Sequence, residues 1–318
     1  MTFKKYKNYF ENLYIFLLGV FSSFSLPPYN YWLINFLVFS LLFIFLFKNN
    51  DKNLKNFFIY GYFFGFGYFI SNLYWIPLSL LYDKNFSFLI PFAIILIPAF
   101  ISLFFAMAFS IFKFFFFSNG IFINILTFSI ILGFFEFIRG LILSGFPWNL
   151  FAYSFLENIK IIQITSVVGI YAFNTILITF FSVPSILYLS RKKHELLGFS
   201  FVITAFIFIY LYGSLKINDF KKIETDLLPA EIKILSTNIP IERFYSNLDD
   251  EKILIKLINL SNPNSQDDTI FIWPEGVIPN INLRSLKFEY DYLLKKSFSN
   301  NHRIILGIND NIFENGEK

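Results

Sequence analysis

The sequence predicts a multi-span α-helical membrane domain followed by an incomplete α/β domain. The first support is composition. The 318 residues are 56% hydrophobic and 22% aromatic, and only 15% are charged, against nearer a quarter in soluble domains. The second is a split of charge. Residues 1–215 hold 13 Lys+Arg against 6 Asp+Glu, a net +7, whereas residues 216–318 hold 13 against 16, a net −3. Two regions in different solvents would divide their charge in this way. The third is that long apolar runs stop near residue 215 and short alternating ones begin.

A helix needs roughly 20 residues to cross about 30 Å of hydrocarbon. Seven segments qualify, at about 11–26, 31–47, 57–81, 88–112, 121–143, 161–189 and 196–215. The first follows MTFKKYK without a small-residue cleavage site and runs into LPPYN, so a retained helix is expected rather than a signal peptide. Basic residues set the orientation. With the N-terminus inside, ten fall on the cytoplasmic side: Lys4, Lys5, Lys7, Lys48, Lys52, Lys55, Lys113, Arg191, Lys192 and Lys193. Before the last span the opposite side has only Lys84 and Lys160. Seven crossings then place everything after Leu215 outside the cytoplasm.

The expected domains are a membrane domain at 1–215, a polar linker at 216–230 and a partial α/β domain at 231–318. In the last, EIKILSTNIP reads as a strand, LDDEKILIKLINLS as a helix, DTIFIWPE as a strand, LRSLKFEYDYLLKKSFS as a helix and RIILGIND as a strand. Strands alternating with helices indicate parallel pairing. Asn315-Gly316 is a hairpin-turn signal whose returning strand would begin just after Lys318, so this reading expects an incomplete domain.

There is no Cys, which excludes disulfides and thiolate metal sites. His194 and His302 are far apart and form no metal constellation. No metal or other cofactor is expected, and the sequence has no GxSxG elbow, phosphate-cradling loop or nucleic-acid patch. Ser144 before Gly145 makes no nucleophile elbow.

Four positions remain as site candidates. Glu275 follows the apolar run Phe271-Ile272-Trp273-Pro274, at the carboxyl end of a strand where ligands gather in α/β sheets. Partly apolar surroundings would suit it to general-base work; the position equally suits a Glu capping the following turn or helix. Arg139 lies three residues after Glu136 on one predicted helix. Such charges usually face a bundle interior or a cavity, and the spacing also lets them pair structurally. Trp148, in the outer loop GFPWNLFAYSF, reads as an interfacial anchor or the lining of a lipid entrance. Trp75 ends the third span beside Asn72 and Tyr74. Gly61 and Gly65 form a small-xxx-small pattern expected to mark tight helix packing.

GYFFGFGYFISNLYW (61–75), FFEFIRGLILSGFPWNLFAYSF (134–155) and TIFIWPEGVIP (269–279) occur in an order that resembles the bacterial apolipoprotein N-acyltransferases. The resemblance implies a polytopic inner-membrane domain, N-terminus cytoplasmic, carrying a periplasmic nitrilase-like (CN-hydrolase) α-β-β-α sandwich. It implies transfer of an acyl chain from a phospholipid, through a Cys thioester, to the N-terminal amine of a diacylglyceryl-cysteine lipoprotein. Within WPE, Glu275 matches the family's base for the thiol. The family's oxyanion Lys and its Cys match no residue here: Lys295, Lys296 and Lys318 precede the Lys position, and no Cys exists. The final membrane helix is also missing, and Thr237, Ala152 and Phe155 stand where Gln, Gly and Gln are common. The chain is therefore expected to be truncated and inactive alone. Alternatives are a non-catalytic lipid-binding remnant and a membrane-tethered nitrilase-type amidase, which would need the same Cys.

Overall fold

The computed structural model describes residues 2–82, 85–117, 120–142, 145–222, 230–239 and 250–310. The chain divides into two compact units, Met1–Ile223 and Glu224–Lys318. The Asn315-Gly316 turn signal lies outside the described residues.

The first unit is helical: α1 (Thr2–Ser23), α2 (Ile34–Lys48), α3 (Leu54–Leu73), α4 (Ile90–Phe114), α5 (Ile121–Leu141), α6 (Ile159–Ile162), α7 (Thr165–Ser182), α8 (Ser185–Leu189) and α9 (Lys193–Lys221). Among the described residues four stretches are long and apolar enough to cross a membrane: Ser87–Phe114, Ile121–Leu141, Thr165–Leu189 and Lys193–Lys221. The other three expected segments are also helical but fall short in different ways. α2 has only 15 residues. Lys7, Asn8, Glu11 and Asn12 make α1 more polar, as Tyr60, Tyr62, Tyr68, Ser71 and Asn72 do α3.

Small residues set the packing. A Cβ on Gly61 would lie 2.8 Å from the Cα of Ala106, and one on Gly65 would lie 3.2 Å from the Cα of Ser102. α3 and α4 therefore meet nearly backbone to backbone, as the small-xxx-small spacing of these two glycines predicts. Gly19 and Gly67 bring α1 equally close to α3. The segment expected at 161–189 is not one helix. Gly169 has φ +77° inside α7, and Val183-Pro184 separates α7 from α8. At the other end of the unit α9 runs on to Lys221, into the stretch read as a linker.

The amino end of α5 shows a long-range cap. Its N-cap is Gly120, which has no side chain to offer the first amides. Glu195 of α9, 2% exposed, supplies the acceptors: its Oε1 and Oε2 accept from Ile121 N at 2.9 Å and Phe122 N at 2.7 Å. A carboxylate also opposes the positive end of the helix dipole. Glu195→Ala is expected to cost about 2 kcal/mol, read as a lower thermal midpoint in detergent, while the exposed neighbour His194→Ala changes it little.

In the second unit β1 (Glu231–Ile234), β2 (Thr269–Ile272) and β3 (His302–Ile305) form a sheet in that order, parallel throughout. α10 (Asp250–Ser261), α11 (Leu283–Phe288) and α12 (Asp291–Ser297) accompany it. Leu254, Leu257, Phe271, Trp273, Val277 and Ile278 form its core. The indole Nε1 of Trp273 donates to Ser261 Oγ at 3.0 Å, so the buried ring carries no unpaired N–H. The other sheet face is apolar and open, with Ile232, Ile234 and Ile305 all exposed. The helix expected across LRSLKFEYDYLLKKSFS is two helices. Glu289 and Tyr290 both donate to Ser285 O, which closes α11, and Asp291 starts α12 with an acid in its first turn.

Candidate functional site

In the first unit the candidates gather at the loop that follows α5. Arg139, 1% exposed, sends Nη1 to two carbonyls of that loop, Phe146 O and Trp148 O, both at 2.8 Å. Three more side chains fix the same loop. Tyr68 of α3 donates to Asn149 O at 3.0 Å, and Tyr153 to Pro147 O at 3.0 Å. Asn174 of α7 accepts from Ala152 N at 2.9 Å and donates to the buried Glu136. Glu136 and Arg139 lie 3.6 Å apart as an ion pair on one helix. Both sequence readings of this pair hold together: it is structural, and Arg139 also lines a cavity.

That cavity, of ≈ 360 Å³, has walls from Leu96, Ile97, Phe100, Ile101 and Phe104 of α4, with Arg139, Ile142 and Phe146 opposite. The guanidinium lies 5.2 Å from the Phe69 ring and 5.8 Å from that of Phe146, contacts that favour a cation out of water. Nε and Nη2 of Arg139 nevertheless have no hydrogen-bond partner among the described residues. Nη2 is the nitrogen that faces Glu136 Oε1 in the ion pair, which leaves Nε as the spare donor; an apolar cavity lined by such a cation suits an amphiphile bearing an oxygen acceptor.

Trp148 and Trp75 stack at the surface of this unit, their ring centroids 5.5 Å apart and their planes at 20°. Each is about half exposed. The structure thus brings Trp75, Arg139 and Trp148 into one cluster, with Arg139 fixing the loop that carries Trp148. Asn72 belongs to its own helix, donating to Tyr68 O at 3.0 Å. Tyr68 and Asn174 were missed by sequence reasoning. The available signal was a polar group inside an apolar span, clearest for Asn174 in IYAFNTILITF.

In the second unit Glu275 lies in the turn that ends β2, exposed, at the carboxyl edge of the parallel sheet. Gly276 takes φ +61°, which favours glycine there. Gly307, just beyond β3, is the neighbour that matters: a Cβ on it would lie 2.8 Å from Glu275 Cγ and 3.3 Å from Glu275 Cβ. Its carbonyl also accepts from Gly276 N at 3.4 Å. Glycine at 307 thus leaves the space that the Glu275 side chain occupies. Gly307→Ala is expected to move the carboxylate while leaving the sheet intact. Circular dichroism would stay at the wild-type level, and any activity that depends on Glu275 would fall as it does in Glu275→Gln. The signal was available in IILGIND, since an isolated Gly at a strand end marks close approach.

Helices of membrane-crossing length in one unit and a parallel α/β sheet in the other define a polytopic membrane protein that also contains an α/β unit. Residues 18–183 match the family model of the apolipoprotein N-acyltransferase N-terminal domain, and the chain belongs to that family. It is 27% identical over 279 residues to the apolipoprotein N-acyltransferase of Rhodopseudomonas palustris, covering 83% of this chain and 51% of that protein. To the Rickettsia bellii protein of the same name it is 32% identical over 221 residues, covering 69% and 42%. To that of Rickettsia typhi it is 30% identical over 309 residues, covering 95% and 59%. The chain spans about half the length of the curated relatives it matches first.

Proposed function

We propose that this chain is the lipid-admitting and base-bearing portion of an apolipoprotein N-acyltransferase of the bacterial inner membrane. In this reading seven spans place the N-terminus in the cytoplasm and the second unit, as part of a nitrilase-like sandwich, in the periplasm. A phospholipid enters past Trp75 and Trp148 and lays an acyl chain against Leu96, Phe100 and Phe104. The Nε–H of Arg139 meets an ester or phosphate oxygen. Glu275 takes the proton of a Cys thiol, and the thiolate attacks the ester carbonyl. A thioester forms and lysophospholipid leaves with its alkoxide reprotonated. The amine of a diacylglyceryl-cysteine lipoprotein then takes the acyl group and frees the thiol.

The observation that carries this reading is the family match over 18–183, which includes the whole Arg139–Trp148 cluster. The 318 residues contain no Cys, so the thiol is assigned to polypeptide outside them. The test is to reconstitute the chain in vesicles of labelled phosphatidylethanolamine with a diacylglyceryl-cysteine peptide. The expected result is bound phospholipid with neither lysophospholipid release nor a hydroxylamine-labile acyl group on the protein. Turnover by these residues alone would overturn the assignment of the nucleophile to a Cys elsewhere.

A further inference from the structure

We propose that α9 holds a membrane lipid by one acyl chain, in a groove that shares no residue with the Arg139 cavity. The groove lies between α5, α7 and α9 and has a volume of ≈ 320 Å³. Leu126, Ile176, Phe180, Val202, Ala205 and Ile209 are among its walls.

The groove follows from how α9 is fastened. One helical stripe, Gly198, Val202, Ala205, Ile209 and Gly213, recurs at three- and four-residue spacing along it. Contact is tight at both ends of this stripe. Beside Gly198 the Glu195 carboxylate caps α5, and a Cβ on Gly198 would collide with the Phe122 ring. A Cβ on Gly213 would collide with the backbone carbonyl of Lys160. The two glycines are about 22 Å apart along the axis, at roughly 1.5 Å per residue. Between them Phe180 and Phe206 stack with centroids 3.6 Å apart, which sets one wall. Pinned at both ends, α9 cannot close on the other two helices without giving up one of these contacts.

Something must fill such a space, because an empty apolar groove forfeits dispersion contacts along its whole lining. Water is a poor occupant. The polar side chain in the wall is Thr179, whose hydroxyl already donates to Thr175 O at 3.2 Å, and a buried water needs two or more partners. A helix from a second copy is too large, being about 10 Å across with its side chains. At roughly 30 Å³ per water-sized group, the groove takes about ten methylene-sized groups, which suits a single acyl chain. All three walls come from stretches of membrane-crossing length, so hydrocarbon is also the surrounding medium.

The test uses the full chain, extracted in mild detergent and washed, with retained lipid counted per protein by mass spectrometry. About two lipids per chain are expected for the wild type, one in this groove and one in the Arg139 cavity on which the proposed function rests. Ala205→Trp, which fills the groove, is expected to lower the count to about one, the lipid of the Arg139 cavity remaining. Ile207→Trp, at an exposed position two residues on, should leave it unchanged. Equal retention in Ala205→Trp and wild type would overturn the proposal, as would equal losses in both variants. A second readout needs no variant: phospholipid with a diazirine-bearing acyl chain is photolysed after washing and its adducts mapped. Adducts concentrated on 122–126, 176–180 and 202–209 support the groove. Adducts spread evenly over outward residues such as Leu187, Leu197 and Leu215, or cross-links between two copies, contradict it.

Discussion

Glu275→Gln is expected to lower acyl-enzyme formation by about 10²–10⁴-fold, the usual contribution of a positioned general base, in any assembly that supplies the thiol. The amide keeps the size and hydrogen-bonding reach of the acid but cannot take the proton. Because Glu275 is exposed and outside the core of its unit, the substitution should change stability by less than about 0.5 kcal/mol. Phospholipid retention should be unchanged, since the Arg139 cavity lies in the other unit. Loss of acylation with normal stability and normal lipid binding separates a missing base from a damaged fold. A parallel fall in all three would refute the role.

The largest expected stability effect is at Arg139. Arg139→Leu leaves the buried Glu136 carboxyl without its partner, and removes the donor shared by Phe146 O and Trp148 O. Breaking one side of a buried ion pair typically costs about 3–5 kcal/mol. The double variant Glu136→Leu, Arg139→Leu is expected to recover part of that loss, because no orphaned buried carboxyl remains. Arg139→Lys should rescue poorly, because an ammonium lacks the planar fork of donors that the guanidinium presents. Thermal midpoints in detergent measure these differences. The Trp75–Trp148 stack supplies an independent signal, since a released loop exposes both indoles and shifts their emission to the red.

What the sequence revealed depended on whether the signal was local. WPE at the end of an apolar strand placed Glu275 correctly at the carboxyl edge of a parallel sheet, because strand polarity and the β-α-β alternation determine that edge. Arg139 within an apolar span was conspicuous for the cost of its charge. Trp148 and Trp75 were each visible, but not as a stacked pair, because that contact joins residues 73 positions apart. Glu195 gave no local hint of its role, since it caps a helix whose start is 74 residues earlier. The helix break at Glu289–Tyr290 was also hidden, because the apolar spacing runs through it and only the Asp291 start distinguishes two helices from one. Gly307 was readable as a close approach but not as a neighbour of Glu275, which depends on the β2–β3 register.

The most direct measurement is the yield of hydroxylamine-labile acyl thioester from labelled phospholipid. The chain would first be fused to the portion of the Rickettsia typhi relative that lies outside the matched region, to which the proposed function assigns the thiol. With Glu275 intact, thioester should accumulate and lysophospholipid should appear in equal amount. With Glu275→Gln, both should fall together by at least about a hundredfold. Thioester formed at the same rate by the two proteins would contradict the assignment of Glu275 as the base, and with it the function proposed for this chain.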